Sequence, residues 1–208
     1  MGHERSLMID LSQASFIGPK PNDREAFTKL PAELRDLLFS VNGFVLFGGG
    51  LHVRGVCDAP VWHSLGRVWH GADALGQLYA SLHPDDIPFA QDCLGDQLLL
   101  RDGLVIRLFG ETGEINETGI GLTEFLESAQ EDPDEFLSLP ILRRFEREGG
   151  TLAPGELLSV YPPLCTQEAS DGISLRAIPT MERIKFLADF AHQIAAVPDG
   201  TKVRVIVR

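Results

Sequence analysis

The chain has 208 residues, 44% of them hydrophobic and 23% charged, with a formal net charge of −12; a chain this long buries about 70% of its unfolded surface and needs no metal or crosslink to stay folded. No apolar run approaches the roughly 20 residues of a membrane helix, and the start MGHERSLMID lacks the apolar core of a secretory signal. The acidic excess repels phosphate backbones and anionic lipid, so composition predicts a cytoplasmic protein that binds neither nucleic acid nor membrane.

In chain order, LPAELRDLLFSV predicts an amphipathic helix from Pro31 to Val41. Proline suits its first position, and Leu34, Leu37, Leu38 and Val41 recur at helical spacing. Asn42-Gly43 supplies a left-handed stop. FVLFGGGLHVRGV reads as two short strands joined by a turn. The stretch VWHSLGRVWH repeats one triplet seven residues apart, close to two helical turns. A helix opening at Pro60 puts Val61, Leu65, Val68 and Trp69 on one stripe, with His63, Arg67 and His70 on another face. Leu75, Leu78, Tyr79 and Leu82 suggest a further helix.

Asp102-Gly103 between QLLLR and LVIRLF is a two-residue hairpin signal. Glu111-Thr112-Gly113-Glu114 turns the chain again, so the centre is an antiparallel meander. LTEFLESA is a helix with Leu122, Phe125, Leu126 and Ala129 inward, and Asp132 caps another beginning at Pro133. Beyond residue 140, GELLSVYPPL and SLRAIP read as strands. Pro179 to Ala196 is a helix through Ile184, Leu187, Phe190, Ala191 and Ile194, and TKVRVIVR alternates as a terminal strand. The expected fold class is α+β, a mostly antiparallel sheet with flanking helices. A domain over 1–140 is followed by an α+β extension over 141–208, either separate or packed on the same core.

Four constellations could carry chemistry. His63 and His70 lie about 10 Å apart along a helix axis, too far to share one ion directly, and Arg67 between them opposes a cation; the pair reads as solvent-facing or capping. Gly48-Gly49-Gly50 lacks the Lys-Ser/Thr or GxGxxG context of a phosphate cradle and reads as a bend. Asp92 and Asp96 in QDCLGD could divide acid and base roles in a hydrolase, with a histidine such as His70. Aspartates also bond turn amides, and that reading is preferred. Cys57, Cys93 and Cys165 form no CxxC pair, so neither a disulfide framework nor a zinc knuckle is indicated.

The fourth is charge placement. Between Arg107 and Arg143 stand nine acidic residues and no base. Glu124, Glu127 and Glu131 fall opposite the apolar face of their helix, with no cation at helical spacing to offset them. A solvated face is the plain reading; an interface for a basic partner is the sharper one.

The helix from Leu30-Pro31 to Asn42-Gly43, then a glycine-bearing strand pair, then Ile87-Pro88-Phe89-Ala90-Gln91-Asp92, Gly95-Asp96 and GLTEFL resemble the SUKH superfamily over about residues 25 to 130. That group contains fungal cell-wall-synthesis regulators and bacterial immunity proteins. The resemblance implies an α+β domain, motif positions with structural roles and no catalytic residues. It also implies a protein partner: a toxin domain, often a nuclease, in bacterial relatives, or an endogenous partner held by a regulatory scaffold. Combined with the charge, the expectation is a non-enzymatic immunity protein without cofactor or metal. Glu111, Glu114, Glu117, Glu124, Glu127 and Glu131 are its interface candidates toward a basic toxin.

Overall fold

A computed structural model describes residues 9–198 and 200–201. Seven strands form one sheet in sequential order, each antiparallel to its neighbours: β1 (Phe16–Ile17), β2 (Phe44–Leu46), β3 (Leu51–Val53), β4 (Ile87–Asp92), β5 (Gln97–Arg101), β6 (Leu104–Leu108) and β7 (Ile115–Gly121). The Asp102-Gly103 turn pairs Arg101 with Leu104, both turn residues having the positive φ that such a tight connection demands. With helices around it, the sheet makes an α+β fold.

Helices lie on both faces, which explains the unbroken apolar run of β5. Leu98 and Leu100 join one core with α2 (Ala32–Ser40), α5 (Leu122–Glu131) and α7 (Leu139–Arg147). Leu99 points the other way, with Ile106 and Leu108, toward α4 (Leu75–Leu78) and α8 (Thr180–Ile194). In α5 the four residues expected inward are buried, and Phe125 packs edge-on against Phe89 of β4, centroids 6.4 Å apart.

Several expectations are corrected. Pro31 is the residue before α2, not its first turn. A short helix, α1 (Arg24–Lys29), precedes it, capped by the Asp23 side chain accepting from the Ala26 amide. The helix expected across VWHSLGRVWH breaks in two. Val61–His63 is a single 3-10 turn, and α3 (Leu65–Trp69) restarts after Ser64, whose hydroxyl accepts from the Arg67 amide. Ser64 is held extended because Gly55 bridges it, donating to the His63 carbonyl and accepting from the Leu65 amide. The two triplets therefore do not share one helix face. Tyr79 and Leu82 lie past the end of the four-residue α4.

The short α6 (Pro133–Phe136) has the Asp132 cap. The division expected at residue 140 falls inside α7, and the later elements feed both cores. β8 (Glu156–Tyr161) pairs with β9 (Ser174–Pro179) as a separate two-stranded sheet. Leu158 and Val160 of β8 enter the first core, and Leu157 enters the second with Ile184, Ala188 and Ala191 of α8. The terminal strand expected in TKVRVIVR lies outside the described residues except for Thr201.

Candidate functional site

The turn QDCLGD is built around one carboxylate. Asp92 Oδ1 accepts from the amides of Leu94, Gly95 and Asp96 at 2.9, 3.1 and 3.1 Å. Its Oδ2 accepts from Ser138 Oγ at 2.7 Å and Arg107 Nη2 at 2.6 Å. Gly95 has φ +96°, so the turn favours glycine, and an added Cβ would press against Leu187 Cδ1 of α8 at 2.8 Å. Asp96 Oδ1 accepts from the Gly110 amide and Oδ2 from Arg107. Burial, then the adjacent Asp92, push the Asp96 carboxyl up to about 6 despite the arginine. Asp92 has the preferred turn role; Asp96 instead joins the turn to Gly110 and Arg107. His70 is exposed elsewhere, against Trp69, and is not brought to them.

Beside this turn opens a cleft of about 610 Å³. Leu94, Phe109, Pro140, Ile141 and Leu164 supply apolar walls, while Asp96, Arg107, Glu111, Glu114 and Arg183 bring charge. Arg183, 1% exposed, donates through Nε to the Leu94 carbonyl. Its Nη2 lies 3.6 Å from Glu111 Oε1, beyond hydrogen-bond length. Glu111 Oε2 accepts from the Cys165 amide at 3.0 Å. Arg183 Nη1 and Glu111 Oε1 are both buried without a hydrogen-bond partner among the described residues. Glu111 is thus turned inward, a correction to its place among exposed docking residues; an arginine from α8 draws it in.

The remaining candidates behave otherwise. Glu114, Glu117, Glu124 and Glu131 are exposed and Glu127 is half-buried. Among the described residues none of these five makes an ion pair. Glu117 sits on β7, the last strand of the sheet among the described residues, on the side of its partner Ile106, and Glu124, Glu127 and Glu131 lie on the outer face of α5, on the other side.

A second polar cluster is sealed inside. Arg54, fully buried, donates from Nη1 to the carbonyls of Pro88 and Ala90 and from Nη2 to the side-chain oxygens of Gln91 and Gln97. With no carboxylate bonded to it, burial pulls its pKa down to about 9. A one-way chain runs on. Gln91 Nε2 donates to His52 Nδ1, His52 Nε2 to His63 Nδ1, and His63 Nε2 to the Asn42 carbonyl. The carbonyl can only accept, which fixes the tautomer of each ring in turn. Burial lowers both histidines, His63 to about 4 and His52 well below its ordinary value. His63 is therefore a packed, neutral residue, correcting its solvent-facing placement. Gly55 lets the ring in: a Cβ there would stand 2.5 Å from His63 Nε2.

Burial raises all three thiols, Cys57 and Cys165 to about 11 and Cys93 well above its ordinary value. None is a thiolate at neutral pH, which removes the activation a cysteine nucleophile requires. Among the described residues no group of three or more His, Cys, Asp or Glu side chains is placed to hold a metal ion, and no helix is long and apolar enough to cross a membrane.

Sequence reading missed Arg183 and Arg54. The available signal for the first was a charge at a stripe position of α8, beside Ile184 and in step with Leu187 and Ala191. For the second it was an arginine within an otherwise apolar strand segment.

No protein-family model matches the chain, and no curated protein matches it. Among solved structures, the crystal structure of Atu4351 from Agrobacterium tumefaciens is similar, with 12% sequence identity, 86% of each chain covered and a TM-score of 0.55. The likeness is one of fold.

Proposed function

We propose that this chain is a cytoplasmic, non-catalytic protein-binding module of the SUKH type, acting as an immunity protein that occludes a basic, nuclease-type toxin domain. The observation that carries the reading is the outward set Glu124, Glu127 and Glu131 on α5, none ion-paired among the described residues. Carboxylates so placed stand in for the substrate phosphates that a cationic nuclease site attracts, and they steer the encounter. Glu124, Glu127 and Glu131 form this face; Glu117, paired with Ile106 of β6, points to the opposite side of the sheet, and Glu114 lines the cleft. That Asp92 and Asp96 accept from backbone amides and from Arg107 favours the non-catalytic reading over the hydrolase one. The test is growth rescue of cells expressing a nuclease-type toxin domain encoded beside this chain. Rescue is expected from the wild type and lost on Glu124→Lys, Glu127→Lys and Glu131→Lys together, with an unchanged melting temperature. Undiminished rescue by that triple variant would remove the face from the interface.

A further inference from the structure

We infer that the cleft between the β6–β7 turn, the start of α7, the Leu164-Cys165 segment and α8 is a binding site for a small neutral molecule with an apolar body and a carboxamide or hydroxyl head. This site is distinct from the acidic outer face of α5. Its volume, about 610 Å³, falls in the range of small-molecule pockets, and its make-up follows theirs, apolar walls with a few convergent polar groups.

The floor specifies the head group. Arg183 Nη1 has a proton to give and Glu111 Oε1 a lone pair to share, and both are buried and unused among the described residues. The structure holds them near each other but not bonded, at 3.6 Å between Nη2 and Oε1. A group that accepts and donates from adjacent atoms satisfies both, as a primary amide does on one planar unit. Net charge on the head is disfavoured. An anion would meet Glu111, Glu114 and Asp96, a cation would meet Arg183 and Arg107, and either would lose its hydration against a pair that already balances itself. The body of the ligand would lie on Leu94, Phe109, Ile141 and Leu164.

Three probes share one apolar body and differ only in the head: 3-phenylpropanamide, 3-phenylpropanoate and 3-phenylpropylamine. Each is titrated into the full chain while amide signals are followed by NMR. The amide is expected to shift the signals of Leu94, Gly110, Glu111 and Cys165 saturably, with both charged probes at least about tenfold weaker. Leu164→Trp closes the mouth without touching the floor and should abolish those shifts while distant signals stay put. Glu111→Gln leaves Arg183 without its counter-charge, so the preference should pass from the amide to the carboxylate. A merely structural glutamate would not produce that inversion. No saturable shift with any probe, shifts centred elsewhere, or equal binding of all three would overturn the assignment. If Glu111→Gln does not fold, persistence of the shifts in Leu164→Trp overturns it alone.

Discussion

Two of the largest fully buried side chains are arginines, and the chain treats them in opposite ways. Arg54 sits inside the fold with four neutral oxygens around Nη1 and Nη2, its Nε without a partner and no carboxylate bonded to it among the described residues. Arg183 has one firm hydrogen bond, a carboxylate held just out of reach, and an unused nitrogen at the floor of a cleft. A sealed cation whose two terminal nitrogens meet four oxygens organises structure: it ties the end of β3 to β4 and β5 and orients Gln91 at the head of the histidine chain. A buried cation with spare donors beside open space is arranged to receive something. The same contrast separates the carboxylates, with Asp92 and Asp96 consumed inside, Glu111 Oε1 left spare at the cleft, and the α5 glutamates turned outward.

The largest expected effect is at the sealed site. Arg54→Met strands the oxygens of Gln91, Gln97, Pro88 and Ala90 in the interior and should cost about 3–5 kcal/mol, read from the urea midpoint. Asp92→Ala removes five hydrogen bonds from the turn at once and should cost about 2–4 kcal/mol in the same assay. Arg183→Met should cost less, about 1–2 kcal/mol, because water entering the cleft can reach Glu111. Equal losses for the two arginines would mean that the cleft is as closed as the core.

Proton linkage sharpens the contrast further. His63 falls from 6.5 to about 4 on folding. Its contribution is complete above pH 6.5 and is lost as pH falls through 4, at most about 3 kcal/mol. Asp96 runs the other way. Raised from 3.8 to about 6, it favours the fold below pH 4, and that contribution is lost as pH rises through 6. In the wild type the two oppose each other between pH 4 and 6.5. Asp96→Asn removes one of them, so stability should climb more steeply with pH across that window than in the wild type. An unaltered slope would show that Asp96 titrates normally. The smallest effect belongs to Glu124→Lys, Glu127→Lys and Glu131→Lys combined, within about 0.5 kcal/mol of the wild type, as expected of outward side chains.

What could be read in advance was whatever is decided within a few residues. Asp102-Gly103 carries its own turn chemistry. Leu122, Phe125, Leu126 and Ala129 mark a helix face without help from elsewhere, and Asp92 was legible as a turn former. The break at Ser64 was not, because it depends on Gly55 reaching across to bridge it, and helical periodicity in VWHSLGRVWH argues for continuity. Glu111 resembles its exposed neighbours in every local respect. The Cys165 amide and the arrival of α8 with Arg183 turn it inward, and no short window contains all three residues. The outward glutamates of α5 were legible because periodicity alone assigns the side opposite an apolar stripe.

The most direct test of the proposed occlusion takes a nuclease-type toxin domain that the wild type binds and titrates it calorimetrically into two charge-reversal variants. Reversal on α5, Glu124→Lys with Glu127→Lys and Glu131→Lys, should weaken binding by at least about 100-fold, whereas Glu114→Lys at the cleft rim should change it less than about fivefold. The reverse order, or no loss from the α5 variant, would contradict the assignment of binding to the outward carboxylates.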